Sequence, residues 1–215
     1  MSSAVQRPRI TLKIATSLDG RIGTSSGESQ WITGPEARLQ GHRLRAAHDA
    51  VLVGVETVLA DDPRLTVRLP EGEAGPEPLR VVLDSRLRTP DFARLAVPGT
   101  LILTTREPVS VGGAEVVRVA GDASGRPGVS AILESLNARG IKSLMIEGGG
   151  RVAACFVAAG VIDAIEWFRA PILMGGDGRP GVASLALARL AHAPKFRRLA
   201  VEPLGDDLWE RYEKV

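Results

Sequence analysis

The 215-residue chain holds one cysteine, Cys155, so no disulfide can close within it. No Cys-x-x-Cys pair and no Cys/His cluster at metal-ligand spacing is present, which disfavours structural zinc and fits a reducing cytosol. Long apolar runs are missing too. Nothing is long enough to span a bilayer, and the N-terminus, Met1 to Pro8, lacks the apolar stretch of a leader peptide, so a cytoplasmic protein without membrane attachment is expected. Charge of one sign is scarce: 27 Lys and Arg against 25 Asp and Glu leave +2 without basic runs, and no stripe for nucleic acid. A Gly-x-Gly-x-x-Gly turn after the first strand is absent, which argues against an ordinary Rossmann dehydrogenase. His42, His48 and His192 have no serine or cysteine nucleophile arrangement around them, against hydrolase chemistry. Asp61 and Asp62 find no third ligand, so no metal is expected.

What is present reads as one α/β domain, with 44% hydrophobic residues and residues 1–8 as a disordered tail. Residues 9–17 alternate apolar and polar side chains as a strand, with Lys13 among the polar positions, and run through a turn into residues 21–23. Thr33-Gly34-Pro35-Glu36 has the form of a capping box opening a helix that carries His42, Arg43, Arg45 and His48. Residues 49–54 are a continuous apolar run, the mark of a strand covered on both faces. A short helix over 56–60 stops at Asp61-Asp62-Pro63 because the residue before proline avoids helical geometry. Residues 69–78 form an exposed loop. Strands at 79–84, 100–105 and 115–119, a helix over 129–139 closed by Gly140, and a strand at 142–146 follow. Alternating strand and helix predicts a mostly parallel sheet. The remainder reads as a strand at 162–168, a glycine-rich loop over 170–182, and an antiparallel hairpin of 196–201 with 207–214 across 203–206.

Chemistry is expected at the end of the 142–146 strand. Glu147 stands there, followed by Gly148-Gly149-Gly150 and a small-residue helix. Glycine lets backbone N–H groups approach a ligand closely, and a helix N-terminus points its positive end at the same place, which suits a diphosphate. In an open α/β sheet, ligands bind beyond the carboxyl ends of the strands, where Ser85, Thr105 and residues 147–150 all fall. Arginines after two of these strands, Arg86 and Arg106, are suited to the 2′-phosphate that separates NADP from NAD. Arg45 and Arg68, near the Asp61-Asp62-Pro63 loop, are suited to clamp a phosphate with paired hydrogen bonds.

The stretches 15–21 (ATSLDGR), 27–33 (GESQWIT), 59–68 (LADDPRLTVR) and 146–149 (IEGG) resemble the riboflavin-biosynthesis pyrimidine reductases, the C-terminal domain of the bifunctional deaminase/reductase. The resemblance spans nearly the whole chain. It implies a dihydrofolate-reductase-like fold: a mixed, mostly parallel sheet flanked by helices with an antiparallel C-terminal hairpin. It also implies NADPH as reductant, a homodimer, and a ribosylamino-pyrimidine 5′-phosphate whose C1′ imine becomes the ribitylamino product. By motif, Ser29, Arg45, Leu65, Arg68 and Glu147 correspond to the substrate set, with the arginines on the 5′-phosphate. Ala15, Trp31, Thr57, Asp61, Ser85 and the segment 149–155, headed by Gly149, Gly150, Arg151 and Val152, correspond to the NADPH set. Lys13, Asp61 and Glu147 are the candidates for handling the proton, and spacing leaves open which of them does. The zinc deaminase motif of the bifunctional proteins is absent, so a separate deaminase is expected to act in the same pathway. Another substrate on the same fold, or a non-catalytic NADP-binding module, are the competing readings.

Overall fold

The computed structural model describes residues 7–73 and 75–215. In chain order the elements are β1 (Arg9–Thr16), β2 (Arg21–Gly23), α1 (Pro35–Ala46), β3 (Ala50–Gly54), α2 (Val55–Asp61), β4 (Leu79–Leu83), β5 (Thr100–Thr104), β6 (Glu115–Arg118), α3 (Val129–Asn137), β7 (Ser143–Ile146), α4 (Gly150–Ala158), β8 (Ala164–Arg169), β9 (Arg179–Pro180), a single 3-10 turn (Leu190–His192), β10 (Phe196–Leu204) and β11 (Asp207–Lys214). Nine strands form one sheet in the order β10-β11-β8-β1-β7-β3-β4-β5-β6, and β2 pairs with β9 in a separate ribbon. From β8 to β6 every neighbouring pair is parallel; β11 joins β8 antiparallel and pairs with β10 as the C-terminal hairpin.

The apolar pattern explains the layering. Every residue of β3 and β5 is buried, because helices or loops cover both faces of the sheet there. On one face Ile10, Leu12, Leu144 and Ile146 pack against Ile132, Leu133 and Leu136 of α3 and Ala153, Phe156 and Val157 of α4. On the other, Val51, Val53, Val82 and Met145 meet Val55 and Val58 of α2 and Leu44 of α1, while Ala37 of α1 sits on Phe168 and Trp209. These two layers are the faces of one sheet.

Three local expectations are corrected. The capping box at Thr33 to Glu36 does not form: Gly34 is the N-cap without a side-chain cap, and Pro35 begins the helix, where its missing N–H costs nothing. A carboxylate from the other end of the chain takes part instead, Oδ2 of buried Asp207 accepting the Gly34 N–H at 2.7 Å. The glycine-rich segment 170–182 is not wholly loop, since Arg179–Pro180 forms β9 against β2. Pro203 lies inside β10 rather than in the turn, tolerated because β10 is the sheet edge. Of the tail expected over residues 1–8, residues 1–6 lie outside the described residues. Arg7 is held by both Nη atoms on the Asp163 carboxylate at 2.7 Å.

Candidate active site

Lys13 and Glu147 project from neighbouring parallel strands. The β1/β7 register pairs Leu12 with Ile146, so the next residues, Lys13 and Glu147, leave the same sheet face beneath α1. Arg45 of α1 closes the group from above: its Nε and Nη2 donate to the two Glu147 oxygens at 2.6 and 2.7 Å, and Nη1 donates to the Thr66 carbonyl at 3.0 Å. The pair is deep, with side-chain exposures of 17% for Arg45 and 6% for Glu147. Burial alone would push the Glu147 carboxyl up, but Arg45, and then Lys13, hold it below the usual carboxylate range. Burial pushes the Lys13 ammonium below the usual lysine range, Glu147 opposing this and Arg45 adding to it. Its Nζ lies 5.5 Å from the Phe168 ring centroid and has no hydrogen-bond or salt-bridge partner among the described residues.

These side chains form the floor of a cleft of about 690 Å³. Of the residues expected from sequence, Lys13, Ala15, Ser29, Trp31, Arg45, Thr57, Asp61, Leu65, Arg68, Glu147 and Gly149 line it. Asp61 accepts the Ser29 hydroxyl at 3.0 Å, tying the 24–33 rim to the end of α2. Asp62 and Leu65, at φ 39° and 52°, turn the chain so that Leu65 is buried while Arg64 and Arg68 reach the cleft rim. Trp31 is exposed and carries Arg38 over its ring at 4.7 Å.

Ser85, Gly150, Arg151 and Val152 stand outside this lining. Ser85 follows β4, two strands from β7, and its carbonyl takes the Thr105 hydroxyl at 3.3 Å. The three glycines, alike in sequence, have separate places. Gly149 adopts φ 81° as the N-cap of α4, a conformation that disfavours any side chain. Gly148 faces Thr57, whose hydroxyl would lie 3.0 Å from an added Cβ. Gly150 is covered by the incoming chain: the Ala183 N–H donates to its carbonyl at 2.9 Å, and an added Cβ would stand 2.2 Å from the Pro180 oxygen. Gly150→Ala is therefore expected to cost about 1–3 kcal/mol by overpacking, read by thermal unfolding. Unchanged stability would mean that segment 180–183 is not seated on α4. Arg45 also differs from expectation in its commitments. Its fork is spent on Glu147 and Thr66, so Arg68, with no ion-pair partner among the described residues, is the freer guanidinium.

Sequence reasoning missed Asp19. It accepts the Ser17 hydroxyl at 2.6 Å and the backbone N–H groups of Met174 and Gly175 at 3.1 and 2.8 Å, and its pKa is lowered to about 2, chiefly by Ser17. The Ser-x-Asp-Gly turn was the available signal, but its partners lie 155 and 156 residues away. Through this clasp the β1–β2 turn holds the segment that brings Gly181 to the cleft wall. Among the described residues no group of three or more His, Cys, Asp or Glu side chains could hold a metal ion, and no helix is long and apolar enough to cross a membrane.

A sequence profile of the RibD C-terminal domain matches residues 8–209. The chain belongs to the RibD C-terminal domain family. It is 36% identical over 212 residues to the riboflavin biosynthesis protein RibD of Bacillus amyloliquefaciens, an overlap covering 94% of this chain and 56% of that protein. The chain thus spans about half the length of the RibD proteins it matches. It is 36% identical over 222 residues to the 2,5-diamino-6-ribosylamino-4(3H)-pyrimidinone 5′-phosphate reductase of Methanothermobacter thermautotrophicus, covering 96% of this chain and 98% of that one. Among solved structures, Acinetobacter baumannii RibD superposes with a TM-score of 0.85 at 30% identity, over 98% of this chain and 59% of that chain. Enterococcus faecalis dihydrofolate reductase, at TM-score 0.54 and 16% identity over 96% of each chain, shares the fold alone. The dihydrofolate-reductase-like architecture of RibD C-terminal domains is the one observed here.

Proposed function

We propose that this RibD C-terminal domain is an NADPH-dependent reductase of a ribosylamino-pyrimidine 5′-phosphate, converting its open-chain C1′ imine to the ribitylamino product. One observation carries this reading: an ammonium, Lys13, sits beside a carboxylate locked by a guanidinium, on the floor of a cleft that also holds a helix N-terminus and Arg68, and neither Lys13 nor Arg68 has an ion-pair partner among the described residues.

The residues present fit a dinucleotide. The first N–H groups of α4 have no intrahelical acceptor, the backbone at Gly149 is open, with no atom nearer than 3.8 Å to an added Cβ, and the helix end is positive, so a diphosphate finds donors there. Thr57 and Trp31 flank that place; Ser85, Arg86 and Arg106, along the same sheet edge, suit the 2′-phosphate of the NADP form. When bound, the nicotinamide supplies a hydride to C1′.

Imine reduction also needs a proton at nitrogen. Glu147 cannot supply it, because Arg45 and Lys13 keep it ionised. Asp61 is engaged by Ser29 at the rim. Lys13 remains: burial favours release of its proton, and its charge favours polarisation of the C=N bond before that release. The Glu147 charge favours the charged form of Lys13, and its carboxylate accepts hydrogen bonds from ribose hydroxyls. Arg68 binds the 5′-phosphate, which orients the ribose over the floor.

The test is oxidation of NADPH, followed at 340 nm, with the aminated and deaminated pyrimidine phosphates side by side and NADH as the comparison. No oxidation with either substrate, alongside tight NADPH binding, would support a non-catalytic module. Arg68→Ala is expected to raise the substrate KM by roughly 10–100-fold with little change in kcat, the loss of a charge-assisted contact made equally before and during reaction. An unchanged KM would favour an unphosphorylated substrate.

A further inference from the structure

His42 lies on α1 one turn before Arg45, half-buried and behind the cleft lining. Its ring reaches the segment that carries Arg68: Nδ1 accepts the Arg68 backbone N–H at 3.3 Å. The two preceding residues are also held by side chains, one from the same helix and one from further along the loop. Arg45 Nη1 holds the Thr66 carbonyl at 3.0 Å, and the Glu77 carboxylate accepts the Val67 N–H at 3.1 and 3.2 Å. Just upstream, Leu65 is buried in a left-handed conformation. Residues 66–68 thus have no regular secondary structure, yet α1 holds two of their three backbones, through Arg45 at Thr66 and His42 at Arg68, and Glu77 of the same loop holds Val67.

Such fixing matters most at Arg68. A guanidinium reads a phosphate only from a defined position, and a long side chain on an unsupported loop would have to be ordered at the moment of binding. Burial first, then the charges of Arg45 and Arg68, lower the His42 pKa to about 4, against a smaller opposing pull from Glu147 and the Thr66 carbonyl. The ring is therefore neutral through the physiological range, which leaves a nitrogen lone pair free for the Arg68 N–H.

We propose that His42 is a positioning residue that sets the register of Arg68 toward the substrate's phosphate by accepting its backbone N–H. The inference rests on the phosphorylated-substrate reading above. His42 stands outside the cleft lining, so its effect belongs in substrate binding and not in the chemical step.

His42→Leu removes the acceptor at similar volume, whereas the smaller His42→Asn keeps an acceptor near the Nδ1 position. His42→Leu is expected to raise the KM for the pyrimidine phosphate about tenfold, the loss of one hydrogen bond, with kcat and the NADPH KM within about twofold of wild type. His42→Asn, whose amide oxygen can take the N–H, is expected within about threefold of wild type in KM. In an Arg68→Ala background His42→Leu should add less than about twofold, because the residue it positions has gone. Thermal melting shows that each variant is folded. A full, additive tenfold effect in that background, equal effects of Leu and Asn, or no effect of Leu would each overturn the proposal. A high KM in Arg68→Ala with a flat His42→Leu would sink this inference alone; a flat Arg68→Ala would remove the phosphate reading and this inference together.

Discussion

Lys13→Met is expected to lower kcat by about 10²–10⁴, the usual contribution of a positioned general acid, while leaving the melting temperature unchanged or higher. The two halves of that result have one cause. Burial disfavours the charged ammonium, so its pKa in the folded protein lies below its unfolded value. The unfolded chain then holds the proton more tightly, and stability suffers at any pH where the unfolded lysine is charged and recovers only as pH rises through the folded pKa. Methionine, of similar length and with no charge to desolvate, removes that cost at neutral pH. It also removes the proton donor. Wild-type kcat should fall on the alkaline side, at a pH below that of an ordinary lysine, and this limb should vanish from the residual activity of Lys13→Met. NADPH binding should be retained, since Lys13 lies on the floor and not at the α4 terminus. A variant that keeps most of its kcat would exclude Lys13 as the acid and return Asp61 to consideration.

The strands and their order of use were largely legible because each buried strand announces itself as an apolar run. Ala50 to Gly54 and Thr100 to Thr104 have no solvent face, so no polar residue interrupts them. Lys13 and Glu147 were legible on other grounds: Lys13 through the family resemblance and its place in the opening strand, Glu147 as the carboxylate that ends the 142–146 strand just before three glycines. What was hidden is long-range pairing. Arg45 and Glu147 are 102 residues apart, Gly34 and Asp207 are 173 apart, and no local pattern marks either bond. For the same reason the sequence shows neither that the Arg45 fork meets a carboxylate nor that the Asp19 turn clasps Met174 and Gly175. The three glycines show the limit of composition. Only the fold distinguishes the positive φ of Gly149 from the crowding at Gly150 and the close contact of Gly148 with Thr57. Ser85 and Gly149 share the carboxyl edge of the sheet, but sharing an edge is weaker than sharing a cleft, and strand order separates them.

Arg45→Met should destabilise the protein by about 3–5 kcal/mol at pH 8, because it leaves a buried carboxylate without its partner. For a chain of this size that is roughly 6–20 °C in melting temperature. The sign of the pH dependence follows from Glu147. In the wild type its pKa is held below the unfolded value, so the pair stabilises above the ordinary carboxylate range and this is lost as pH falls through the lowered pKa. Without Arg45 the desolvation, already the largest single influence, is no longer outweighed, and the folded pKa is expected to rise above the unfolded one. The penalty is then full at pH 8 and shrinks toward pH 5 as the carboxyl takes up a proton. Denaturant unfolding at the two pH values should therefore show a larger gap between wild type and Arg45→Met at pH 8. Arg45→Met combined with Glu147→Leu should recover most of the stability, since a buried ion pair replaced by apolar side chains of similar volume is often neutral. It should stay inactive, having lost the carboxylate proposed to meet the ribose hydroxyls. A single variant as stable as wild type at pH 8 would show that the carboxylate is not closed off from water, and with that the assignment of Lys13 as the acid would lose its electrostatic basis.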